Sequence, residues 1–194
     1  MKSATSTRGL ERAKELSQDR SQRCKELKQT GHKIIGYMCP FAPPEIIEAA
    51  GAVPYRICGD PATPALKVDQ YMESNTCPWV RNCFNMALEG RYGWLDGLTL
   101  AHSCDAVQMV YGLWKYYASP AFTHYVNVAH TLTPATRLFY KEELVLFQDA
   151  LQRFTGNEVT PAKLQQAIDA YDEMRALVRG LYQSRKSKPP VISG

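Results

Sequence analysis

The sequence predicts an α/β fold: a parallel sheet flanked by helices and followed by a helical hairpin. Three observations carry this. The stretch Lys33–Tyr37, a short helical segment and Val53–Ile57 form a β-α-β unit, and such a crossover makes parallel neighbours. The run from Trp94 to Ala101 is nearly continuously apolar, as a short strand buried on both faces of a parallel sheet requires. From Thr133 onward the apolar spacing is helical only.

The elements follow in chain order. A polar helix is expected from about Gly9 to Gln29, ending near Gly31. Lys33–Tyr37 (KIIGY) reads as a strand, and Cys39 to Pro44 as a rigid, proline-stopped loop. Glu45–Ala50 forms a short helix closed by Gly51, with Pro44 at its start and Glu45 where the helix dipole favours a carboxylate. Val53–Ile57 is a second strand, 59–65 (GDPATPA) a loop, and Leu66–Met72 a short helix or turn. Pro78 then opens an amphipathic helix with Val80, Cys83, Phe84, Ala87 and Leu88 at helical spacing, ended by Gly90. After the strand 94–101 another helix buries Val107, Val110, Tyr111, Trp114 and Tyr117, with Ser103 or Asp105 available as its cap. Phe122–Val128 reads as a strand. Thr133-Pro134 caps a helix with a Leu144, Phe147, Leu151, Phe154 stripe, and Thr160-Pro161 caps one whose buried face is Leu164, Ile168, Tyr171, Met174, Val178 and Leu181. The parts are thus a basic helix (1–31), an α/β domain (32–130) and a helical segment (131–194) whose final KSKPPVISG reads as the approach to another strand.

Composition narrows the functional classes. The 194 residues are 45% hydrophobic and 22% charged, ordinary for one soluble globular domain. No window of about eighteen apolar residues and no leader with an apolar core is found, so the sequence points to a cytoplasmic protein with no membrane partner. Residues 1–33 hold nine Lys/Arg against four Asp/Glu, so the net charge of +4 is local to this segment. Its charges alternate in sign with no interleaved aromatic residue, a solvated helix face rather than a nucleic-acid patch. No glycine-rich phosphate loop, GxSxG elbow or His pair at helical spacing is present.

The six cysteines, at 24, 39, 58, 77, 83 and 104, are spread through helix and strand patterns and read as thiols or metal ligands. Cys77 and Cys104 both stand where a helix begins, at the sheet edge where ligands bind in open α/β folds. Helix amides and the helix dipole there favour a thiolate, the form that ligates metal. The alternative is that both are small buried apolar residues. Cys83 lies six residues from Cys77, about 240° round the helix, and cannot easily share a metal with it. His102 could donate a proton or cap a turn; His32, His124 and His130 look isolated. Trp79, beside Cys77, could shield a metal centre from water, and Arg81 could offset its charge or form a surface ion pair.

GYMCPFAPPEIIEAAGAVPYRI (36–57), CPWVRNC (77–83), LDGLTLAHSCD (95–105), LYQSRKSKPPVISG (181–194) and the spacing of twenty-seven residues from Cys77 to Cys104 together resemble the 2-hydroxyacyl-CoA dehydratase D-component family, which includes benzoyl-CoA reductase subunits. The resemblance implies flavodoxin-like domains and a [4Fe–4S] cluster held by cysteines, of which Cys77 and Cys104 match two. It implies a third ligand from a second α/β domain, before which this sequence stops, so a fragment or a shortened member is expected; Cys39 is a candidate substitute ligand. It implies one-electron reduction of an acyl-CoA through a ketyl radical with loss of water, a second subunit and an ATP-hydrolysing activator as partners, and no activity of the chain alone. The alternatives are reduction of an aromatic acyl-CoA, as in benzoyl-CoA reductase, and a non-catalytic iron–sulfur electron carrier.

Overall fold

A computed structural model of the protein describes residues 5–190. Residues 191–194, where the apolar run toward a further strand is expected, lie outside the described residues. Four strands, β1 (Ile34–Tyr37), β2 (Val53–Arg56), β3 (Gly97–Ala101) and β4 (Phe122–Val126), form one sheet in the order β2-β1-β3-β4. Every pairing is parallel. Helices cover both faces, as a parallel sheet requires, and the domain is flavodoxin-like as expected.

One face carries α4 (Pro78–Leu88) and α5 (Asp105–Tyr117), whose Phe84, Val107, Val110 and Trp114 pack on Ile34, Leu98 and Leu100. The other carries α3 (Pro44–Ala49) and α6 (Pro134–Thr155), whose Ile46, Ile47, Phe147 and Leu151 pack on Ile35, Ala101, Phe122 and Val126. Proline at the first turn starts α3, α4, α6 and α7 (Pro161–Ser184), because a missing N–H costs nothing there. Thr133 accepts from the Thr136 amide and Thr160 from the Lys163 amide, confirming the two expected threonine caps. Gly156 stops α6 at φ 77°, a left-handed conformation that glycine adopts without strain.

β3 is buried along its whole length, but it begins at Gly97 rather than Trp94. Trp94 and Leu95 are instead held in a turn, the indole donating to the Arg91 carbonyl and the Leu95 amide to the Tyr92 carbonyl. Asp96 then fastens the strand entry by accepting from the Ile34 amide and from Lys28 Nζ. At Gly97 a Cβ would stand 2.8 Å from both the Ile35 and Phe122 side chains. Gly97→Ala is therefore expected to cost about 1–3 kcal/mol through overpacking in the sheet centre, measured by urea unfolding.

Three expectations need correction. The N-terminal helix is two helices, α1 (Thr5–Gln18) and α2 (Gln22–Gln29), because Asp19 accepts hydrogen bonds from the Ser21 and Gln22 amides and restarts the backbone. α6 and α7 do not bury their stripes along one another. α6 lies on β4 and α3, while α7 runs along α3, and they share core only around Leu164 and Ala167. Consequently Met174, Val178 and Leu181 are exposed, since a 24-residue helix far outruns its six-residue partner α3.

Candidate functional site

From β1 the chain moves outward to β2 and then crosses back over β1 to β3. The switch point between β1 and β3 leaves a crevice outside the carboxyl ends of these strands, where loops diverge and helix N-termini converge. Cysteines reach this edge from separate elements. Cys39 follows β1, Cys104 follows β3, and Cys77 stands at the start of the crossover helix α4.

Cys77 and Cys104 occupy equivalent positions, being the residues that immediately precede α4 and α5. No side chain caps the first amides of either helix, and both thiols are exposed. The two helices are neighbours on one face, with Phe84 and Trp114 rings 6.1 Å apart, and each begins at the carboxyl edge of the sheet. Two exposed thiols and two sets of uncapped amides thus stand at one edge of the sheet, residue types suited to an anionic metal–thiolate group. Neither Ser103 nor Asp105 caps α5: Cys104 holds that place, and the Ser103 hydroxyl turns back to the Ala101 carbonyl.

Cys83 is a core residue. It is fully buried in α4, and desolvation, reinforced by the nearby cysteines 58, 39 and 77, pushes its thiol up to about 12. Cys39 has φ 60°, a conformation uncommon outside glycine, and is half-buried. Among the described residues no three His, Cys, Asp or Glu side chains stand close enough to hold a metal ion, so Cys39 does not complete a set with Cys77 and Cys104.

The approach to Cys77 is held by α4 itself. Arg81, one turn in, is only 8% exposed, and of its two expected roles it takes the ion pair, its partner carboxylate lying at the surface. Its guanidinium donates to the Met72 and Glu73 carbonyls at 2.5 and 2.6 Å and pairs with Asp69. Asn82 accepts from the Asp60 amide and donates to the Thr63 carbonyl, and Gly59 is required beside it because a Cβ would meet its Oδ1 at 2.5 Å. Asn85, fully buried, accepts from the Lys67 and Val68 amides and donates to Pro64 and Glu89. Residues 59–73 hold one short 3-10 turn, Lys67–Gln70, where a short helix or turn is expected, and these three side chains pair backbone groups on either side of it and at its start. Sequence reading missed both asparagines. Their signal was two poor helix formers on an apolar helix beside a proline-rich loop.

His102 is not a cap; its amide joins Val126 and its ring meets the His130 ring edge-on at 4.9 Å, so His130 is not isolated. Trp79 packs, half-buried, against the core below Cys77. On the opposite face Tyr37, Thr99 and His124 form one row across β1, β3 and β4. Thr99 Oγ1 and His124 Nε2 are buried without partners in the described structure. Burial lowers the His124 pKa below its ordinary 6.5, with Glu143 opposing and Arg153 assisting. Because the folded value is the lower, stability is intact above the unfolded value and is lost as pH falls toward the folded one. Urea unfolding below pH 6.5 should show this loss, with a slope approaching about 1.4 kcal/mol per pH unit from this residue, and His124→Phe should flatten it.

Residues 39–194 match the family model described as 2-hydroxyglutaryl-CoA dehydratase, D-component. A benzoyl-CoA reductase subunit of Thauera aromatica is 28% identical over 159 residues, 81% of this chain and 41% of its own length. The (R)-phenyllactyl-CoA dehydratase beta subunit of Clostridium sporogenes is 27% identical over 170 residues, 87% of this chain and 45% of its own length. The lactoyl-CoA dehydratase beta subunit of Anaerotignum propionicum is 28% identical over 166 residues, 84% of this chain and 43% of its own length. The chain therefore spans less than half the length of these curated relatives.

Proposed function

We infer that this chain, which belongs to the 2-hydroxyglutaryl-CoA dehydratase D-component family, supplies the iron–sulfur-binding α/β domain of a 2-hydroxyacyl-CoA dehydratase-type subunit. In this reading Cys77 and Cys104 are two ligands of a [4Fe–4S] cluster, the enzyme is made whole by a second subunit, and an ATP-hydrolysing activator delivers electrons one at a time. The observation that carries it is the pair of exposed cysteines preceding adjacent helices at the carboxyl edge of the sheet, next to the switch point between β1 and β3.

The donor set fits such a cluster in part. Two thiols on neighbouring helix starts suit two of its irons, and the remaining ligands come from beyond this set. When bound, such a cluster supplies one electron and a Lewis-acidic iron to a thioester carbonyl. The residues of this chain then have separate tasks. Cys77 and Cys104 bind, and the amides of α4 and α5 offset negative charge. Arg81 fixes the segment that leads into Cys77 by tying Met72 and Glu73 to α4. Trp79 covers the core on the Cys77 side and limits entry of water.

A second reading, reduction of an aromatic acyl-CoA, has support from the similarity to the benzoyl-CoA reductase of Thauera aromatica. Product analysis separates the two. The chain, combined under anoxia with a dehydratase partner subunit, an activator and ATP, is expected to remove water from a 2-hydroxyacyl-CoA. Ring reduction of benzoyl-CoA instead would establish the reductase reading. Cluster reduction with neither product would leave an electron carrier.

A further inference from the structure

A cleft of about 670 Å³ lies between the α1–α2 elbow, the end of β2 and the turn from α4 into β3. We propose that it takes the nucleotide end of the acyl-CoA, the 3′-phosphorylated adenosine diphosphate group, an assignment that rests on the acyl-CoA reading above.

Its size suits a nucleotide, and its walls divide by chemistry. One wall is aromatic: Tyr55 meets Trp94 edge-on at 4.9 Å and lies 6.4 Å from Tyr92. Flat bases stack on such surfaces whatever their hydrogen-bonding edges. The elbow supplies cations. Arg20 lies over the Tyr55 ring at 5.7 Å and donates to the uncharged Arg56 carbonyl and to Cys58 Sγ. Lys25 also lines the cleft and forms no ion pair among the described residues. The two carboxylates there are already engaged, Asp19 by the Ser21 and Gln22 amides and Asp60 by Arg91, Thr63 and the Ala62 amide. Lys25 makes no ion pair among the described residues, though its charge reaches Asp19, and Arg20 has only uncharged partners there, so both cations can turn to a phosphate, with Arg20 already set against the Tyr55 ring.

The location agrees. Cys58 and Gly59 in the lining stand just past the carboxyl end of β2, at the sheet edge that carries Cys104, while Arg91, Tyr92 and Trp94 lie before the amino end of β3, so the cleft runs along the flank of the sheet beside β2 and reaches that edge at one end. β2 and β3 are separated only by β1, roughly 10 Å at the usual strand spacing. The flexible pantetheine arm would cross that edge, carrying the thioester from the basic cleft toward the crevice beside Cys77 and Cys104.

Calorimetric titration of the full chain with 3′,5′-ADP tests this without any cluster. Saturable binding is expected, weaker for 5′-AMP, with affinity reduced about tenfold or more by Lys25→Glu and by Ser17→Asp at the exposed cleft mouth. Circular dichroism checks that both variants are folded. No binding to the wild type, or the same affinity in both folded variants, would overturn the proposal. The two readings fail separately. Turnover of an acyl-CoA by the assembled enzyme with a KM unchanged by Lys25→Glu would overturn the cleft assignment alone. Lys25-dependent 3′,5′-ADP binding with no acyl-CoA turnover would support the cleft and count against the dehydratase function.

Discussion

Replacing either Cys77 or Cys104 by serine in the assembled enzyme is expected to lower turnover more than about a hundredfold, while Cys83→Ser leaves it within a few-fold of wild type. Loss of a group that merely orients a metal ligand costs about 10–100-fold, so loss of the ligand itself should cost more. The contrast among three cysteines on or beside two adjacent helices is what makes the test sharp. Cys77 and Cys104 are exposed at the starts of adjacent helices, whereas Cys83 is fully buried and its thiol is held protonated by desolvation. Anoxic turnover assays decide it. Retained activity in Cys77→Ser together with loss in Cys83→Ser would reverse the ligand assignment.

Arg81→Met is expected to destabilise the fold by about 2–4 kcal/mol, because it strips a buried guanidinium from the Met72 and Glu73 carbonyls and leaves Glu73 only the Thr76 amide. Urea unfolding measures it. Asp69→Asn should cost less than about 1 kcal/mol, since the Asp69 carboxylate is 60% exposed and solvent screens its share of the ion pair. Arg81→Lys should recover only part of the loss, because an ammonium cannot reproduce the fork that spans these acceptors. The same variants separate fold from site. Iron retention should fall with Arg81→Met and remain with Asp69→Asn, because the former frees the chain that positions Cys77.

The β1-α3-β2 unit and the start of α4 were legible because proline and glycine punctuate them: Pro44 and Pro78 begin helices, and Gly51 and Gly90 take left-handed conformations after them. Both cysteine positions were legible for the same reason, since each precedes a run of helical period that follows a loop or a strand. The elbow at 19–21 was not. A charged stretch continues the pattern straight through Asp19, and the helix ends where that carboxylate accepts from the Ser21 amide and hydroxyl and the Gln22 amide. The face of α7 was misjudged because periodicity reveals which residues could be covered, not how long the covering element is. The role of Arg81 was invisible because its partners are backbone carbonyls of a preceding loop, a contact with no sequence signature. Likewise the pairing of His102 with His130 depends on β3 and β4 being neighbours, which spacing alone does not state.

The most direct measurement is the iron and acid-labile sulfide content, with the visible spectrum, of the chain purified under anoxia in complex with a dehydratase-type partner subunit, for wild type and for the Cys77→Ser, Cys104→Ser double variant. Stoichiometric iron and sulfide with a broad thiolate-to-iron absorbance are expected in the wild-type chain, and neither in the double variant, with the complex itself still formed. An unchanged spectrum and iron content for this chain in the double variant would contradict the assignment of the crevice as the cluster site.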